Sequence, residues 1–129
     1  MNLQHLSGTA GEEHRVVTSD MAISFIRGEE ARVLSTPQLI LAMEITARNS
    51  IFGQLPDGYD SLGTEVCIRH LAAAPIGALI VCRSTVQSVA NRQVNFVVEA
   101  WHKDRKLAEG THQRTVIHVE RFAERLKNV

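Results

Sequence analysis

The chain has 129 residues, enough for one domain with a single core and too few for a second. Fourteen Lys and Arg residues balance fourteen Asp and Glu residues, so there is no net basic field to attract nucleic acid or an anionic membrane surface. No apolar run is long enough to span a bilayer, and the first residues lack the apolar core of a signal peptide, so a cytoplasmic location is expected.

In chain order, residues 1–13 are small and polar and read as a flexible N-terminal segment. The rest, 14–129, reads as one domain. HRVVTSD is a short first strand, and MAISFIRGEEARV is a strand or turn leading into a loop. Ser35-Thr36-Pro37 is a helix start, with Thr36 as cap and Pro37 at the first helical position, where its missing N–H costs nothing. QLILAMEITARNSI continues the helix and is apolar nearly all round, the pattern of a helix buried on most sides.

From Ser61 the period changes to two. Leu62, Thr64, Val66, Ile68 and His70 alternate with Gly63, Glu65, Cys67 and Arg69. ALIVCRSTVQSV, QVNFVVEAWH and LAEGTHQRTVIHVE follow as strands separated by polar turns, and RFAERLKNV is a short helix. One apolar helix followed by an antiparallel meander is an α+β pattern in which the helix covers a face of the sheet. Cys67 and Cys82, both in apolar runs, read as reduced, buried thiols rather than a disulfide framework.

Glu44 is the residue that the pattern explains least. Its helical neighbours are Ile40, Leu41, Ala47 and Ile51, and a carboxylate within an apolar stripe is costly to bury unless it is paired or protonated. It reads equally as a general base and as half of an i,i+4 ion pair with Arg48. Taken alone, His70 reads as a core or rim histidine and Thr36 as a cap, although a helix N-terminus also offers donors to a carbonyl or oxyanion. Gly63 and Thr64 sit where glycine lets a ligand approach the backbone, or where a bulge interrupts the strand. His112, Arg114 and His118 share one side of the last strand. The histidine spacing does not suit a metal, and no nucleotide or serine-hydrolase motif is present.

STPQLILAMEITA, SLGTEVCIRHLAAAPIG and GTHQRTVIHVERF together resemble the fluoroacetyl-CoA thioesterase group of hotdog thioesterases, from about Thr36 to Phe122. The resemblance implies the hotdog fold, an acyl-CoA substrate, no cofactor, and a homodimer (or a higher oligomer built on it) with active sites at the dimer interface. It implies Thr36, Glu44 and His70 as catalytic residues. It also implies substrate contacts at Gly63, with Thr64 beside it, and at Arg114. The fluoroacetyl-specific enzyme carries lid phenylalanines shortly before its catalytic threonine. Here that stretch is GEEARVLS, so a different small acyl group is expected. The competing readings are a non-catalytic acyl-CoA-binding protein and an enoyl-CoA hydratase, and the Asp–His pair of the hydratase is missing.

Overall fold

The computed structural model describes residues 1–129. Five antiparallel strands, β1 (Ala10–Val16), β2 (Tyr59–His70), β3 (Leu79–Ala90), β4 (Gln93–His102) and β5 (Arg105–His118), form one sheet in the order β1-β3-β4-β5-β2. Helix α1 (Thr36–Phe52) packs on one face, and α2 (Val119–Leu126) follows the last strand. A sheet wrapped around one central helix is the hotdog arrangement.

Alternation builds the core. Ile80, Cys82 and Val86 of β3, Val94, Phe96, Val98 and Ala100 of β4, and Val116 of β5 point to the helix side and are buried. Leu39, Ala42, Met43, Ala47 and Ile51 of α1 meet them. The other side of the helix is open: Leu41 is 46% exposed, so the helix is less enclosed than its composition suggests. The helix is capped by Ser35, whose hydroxyl accepts from the Gln38 amide at 3.3 Å, rather than by Thr36, which is the first helical residue.

The start of the chain departs from expectation. Leu3 and Leu6 are 2% and 0% exposed within the core, and Gly8 and Thr9 exchange backbone hydrogen bonds with Val86. Residues 1–13 are therefore part of the folded unit, because two leucines among polar neighbours seal one end of the sheet. The first strand starts at Ala10, ahead of the point where the sequence pattern places it. Its outward side chains Glu12 and His14 are exposed and polar, and its inward Glu13 bonds Thr46 and Asn49 of α1, which hides the hydrophobic alternation. Cys82 is buried, its thiol pushed up to about 11 by desolvation, whereas Cys67 is exposed on the outer face of edge strand β2.

Strand β2 carries the main irregularity beside the helix. Its register against β5 shifts between Gly63 and Glu65, so Thr64 is an extra, bulged residue. Strict alternation puts Leu62 and Thr64 under the helix. The bulge instead turns Ser61 inward, 4% exposed, and leaves Leu62 40% exposed. Further along, Gly110 of β5 lies so close to β2 that a Cβ there would stand 2.0 Å from the Cys67 carbonyl oxygen, a contact that only glycine permits.

Leu6→Ala is expected to destabilise the protein by about 2–5 kcal/mol, the usual cost of such a truncation in a packed core. Urea unfolding measures it; a change close to zero would show that the N-terminal segment is not part of the cooperative unit.

Candidate functional site

Two groups of polar side chains flank the helix. The first is centred on Arg114 of β5, directly opposite Gly63 in the β2–β5 ladder. Arg114 is 6% exposed. A buried guanidinium must have its donors satisfied, and four of its N–H groups are engaged. Nε donates to Ser61 Oγ at 2.7 Å and Nη2 to the Ser61 carbonyl at 2.7 Å. Nη1 donates to His112 Nε2 at 3.1 Å and to Glu44 Oε2 at 3.4 Å. Burial lowers the Arg114 pKa, while Glu44 and Asp60 pull it back up, and it stays a cation.

Glu44 thus pairs across the core with Arg114 and not along the helix with Arg48. The Arg48 guanidinium instead forms a two-pronged bond to Asp60, at 3.0 and 2.6 Å, and lies 3.9 Å from the centre of the Phe52 ring. That bond holds the Asp60 carboxyl below its usual range. The Glu44 side chain is one-third exposed and opens on a cleft of about 330 Å³ lined by Leu41, Ile45, Arg48, Asn49 and Arg114. On its other side it borders a tight apolar crevice formed by Met43, Val66, Ile68 and Val98.

Gly63 explains how the carboxylate reaches this position. A Cβ at Gly63 would stand 2.2 Å from Glu44 Oε2 and 3.2 Å from His112 Cε1. The carboxylate occupies space that any side chain at 63 would fill. Thr64, the bulged residue, is exposed and turns its hydroxyl to the carbonyl and side chain of Gln113, at 3.3 and 3.2 Å, rather than into the cluster.

The second group is Thr36 and His70. Thr36 Oγ1 lies 2.8 Å from His70 Nδ1, joining the first residue of α1 to the end of β2. The other ring nitrogen of His70, Nε2, is buried without a hydrogen-bond partner. Glu44 lies eight residues after Thr36 along α1, about 12 Å at the helical rise. The chain therefore gathers Glu44, Gly63 and Arg114 in one place and Thr36 with His70 in another.

Ser61 and His112 are the cluster members that the sequence pattern does not single out for the site. His112 has the same parity as Arg114 on β5, which is the available signal; Ser61 enters only through the bulge. His118 plays a structural part: its ring accepts from the Arg121 amide at the start of α2 and stacks edge-on against Tyr59. No group of three or more His, Cys, Asp or Glu side chains is arranged to hold a metal ion.

Such an arrangement offers a carboxylate held by a buried cation beside an apolar crevice, the equipment to activate a water molecule or to attack an electrophilic carbonyl. Gly63→Ala is expected to push the carboxylate off Arg114 and to lower stability by about 1–3 kcal/mol, since the buried guanidinium loses one of its acceptors. A crystal structure and a melting curve of the variant check both halves. An Arg114–Glu44 contact still at 3.4 Å would contradict the steric account.

Comparison with known proteins bears on what this equipment serves. A model of the family described as fluoroacetyl-CoA-specific thioesterase matches residues 17–120. The fluoroacetyl-CoA thioesterase of Streptantibioticus cattleyicolor is 33% identical over 94 residues, spanning 73% of this chain and 68% of that protein. The crystal structure of a variant of the fluoroacetyl-CoA-specific thioesterase FlK, in complex with fluoroacetate and CoA, superposes with a TM-score of 0.81 at 29% identity, covering 90% of this chain and 98% of the other. A hot-dog-like protein from Thermanaerovibrio acidaminovorans superposes at 0.89 with 23% identity, covering 99% and 96%, which supports the fold alone. The chain belongs to the fluoroacetyl-CoA-specific thioesterase family, on a hotdog fold.

Proposed function

We propose that this protein hydrolyses a small acyl-CoA thioester to the free acid and CoA, with Glu44 acting at the thioester carbonyl. The observation that carries this reading is the Glu44 carboxylate, held by Arg114 in the space left by Gly63, at the mouth of a cleft. Glu44 either takes a proton from the attacking water or attacks the carbonyl carbon itself to form an anhydride that water then opens. In both routes the C–S bond breaks and its electron pair leaves with the CoA sulfur; water supplies the oxygen of the acid in the first route, and in the second opens the anhydride to the acid and the free Glu44 carboxylate. The crevice at Met43, Val66 and Val98 is closed, so the open cleft of about 330 Å³ beside Glu44 is where an acyl group would reach the carboxylate. The stretch before Thr36 contains no lid phenylalanine, and Phe25, the aromatic residue nearest to it upstream, is 86% exposed. The missing lid aromatic favours an acyl group bound without selection for fluorine.

Thr36 and His70 complete the reaction centre in this reading, as a hydrogen-bonded pair that joins the start of α1 to the end of β2. Their distance from Glu44 along the helix supports a homodimer as the working unit. β2 is an edge strand twelve residues long; its Leu62 and Val66 are 40% and 38% exposed, and Leu41 of α1 is 46% exposed. An antiparallel pairing of β2 with its copy brings the His70 end of one strand to the Gly63 end of the other. Thr36 and His70 of one chain then meet Glu44 of the second.

A non-catalytic acyl-CoA-binding protein is the competing reading, and Glu44→Gln separates the two. The amide keeps the shape but lacks charge and basicity, so turnover is expected to fall at least about a hundredfold with the fold intact. Near-native thiol release by the folded variant would exclude Glu44 as the acting group. Light scattering at micromolar concentration is expected to give twice the mass of one chain, and a monomer would remove the composite site.

A further inference from the structure

We propose that His112 is a positioning residue for Glu44, acting through Arg114; this rests on the reading of Glu44 as the group that acts on the thioester. His112 is 3% exposed and stands between two fixed partners. Its Nδ1 is 2.9 Å from the backbone carbonyl of Glu65, which can only accept a hydrogen bond. Its Nε2 is 3.1 Å from Arg114 Nη1, which can only donate. One state satisfies both: a neutral ring with the proton on Nδ1 and the lone pair on Nε2 aimed at Arg114. Burial lowers the His112 pKa, which agrees with that state.

The consequence follows from the planar geometry of the guanidinium. Arg114 Nη1 bears two N–H groups, one received by His112 and the other by Glu44. Ser61 fixes the Nε and Nη2 side of the group. With Ser61 and His112 both engaged, rotation of the guanidinium is blocked and the remaining Nη1–H points at Oε2. His112 itself is oriented by the Glu65 carbonyl, at the bulge that also turns Gly63 toward Glu44. The chain of contacts thus runs from the bulge in β2 through His112 and Arg114 to the carboxylate. The simpler role for this ring, packing on Phe96 with centroids 5.8 Å apart, accounts for its burial but not for the direction of its lone pair.

Three variants separate positioning from packing. His112→Gln keeps an acceptor near the Nε2 position. His112→Asn keeps a donor for the Glu65 carbonyl but is too short to reach Arg114, and His112→Phe keeps the ring stack without any acceptor. Measured by thiol release, with melting temperatures alongside, Asn and Phe are expected to lower kcat about tenfold to a hundredfold with little change in KM, the scale of one lost charge-assisted hydrogen bond. The Gln variant is expected to recover most of that loss. Crystal structures should show Arg114 displaced from Glu44 in the Asn and Phe variants and in place in the Gln variant. Wild-type kcat in a folded Asn or Phe variant, or a Gln variant as impaired as Phe, would overturn the proposal. If the unmodified protein releases no thiol from any acyl-CoA, the thioesterase reading fails by itself. The crystal structures then decide the positioning claim, with an unmoved Arg114 in the Asn and Phe variants refuting it.

Discussion

A cation buried under a carboxylate is the constraint around which the candidate site of this molecule is arranged. An unpaired buried guanidinium is strongly destabilising, so the elements around Arg114 have to supply acceptors. Ser61 gives two, through its hydroxyl and its carbonyl, and it can do so only because the bulge at Thr64 turns it inward. His112 gives a third from the same strand as Arg114, and Glu44 gives the fourth from the helix. Helix, edge strand and inner strand are fastened at one point, and the fastening leaves a carboxylate at the surface of a cleft. Fold stability and site geometry therefore depend on the same few hydrogen bonds.

Much of this architecture is legible in the amino-acid sequence. The apolar helix, the four long strands and their turns follow from period and punctuation. Glu44 stands out because a carboxylate in an apolar stripe needs a reason. Its partner is not legible, because Arg114 is seventy residues away in sequence and only the β2–β5 pairing brings it there. Arg48, the local alternative, is taken by Asp60. The Thr36–His70 contact likewise depends on where β2 ends relative to the start of the helix.

The departures from the sequence pattern share a cause, which is that neighbours distant in the chain decide them. Alternation points Leu62 and Thr64 inward only if it runs unbroken, and the bulge that breaks it leaves no mark in composition. Cys67 lies in an apolar run, yet an edge strand buries only one face of such a run. Ser35 and Thr36 both cap helices by residue type, and the structure uses Ser35, the stronger cap, with Pro37 in the first turn. The first strand is obscured because its inward Glu13 is satisfied by Thr46 and Asn49 on the helix, so that a polar residue fills a place usually held by an apolar one.

The place of β1 also bears on the order in which the chain is made. β1 hydrogen-bonds only β3, with Ala10 opposite Thr85, so the first of the five strands to leave the ribosome stays without a partner until β3 has followed. Leu3 and Leu6 wait with it, and the surface that will bury them does not yet exist. Closing so long a loop is slow, and it is rewarded only once β3 is in place. The strand made first cannot settle early, and through that interval its backbone groups and the two leucines stay exposed to other chains.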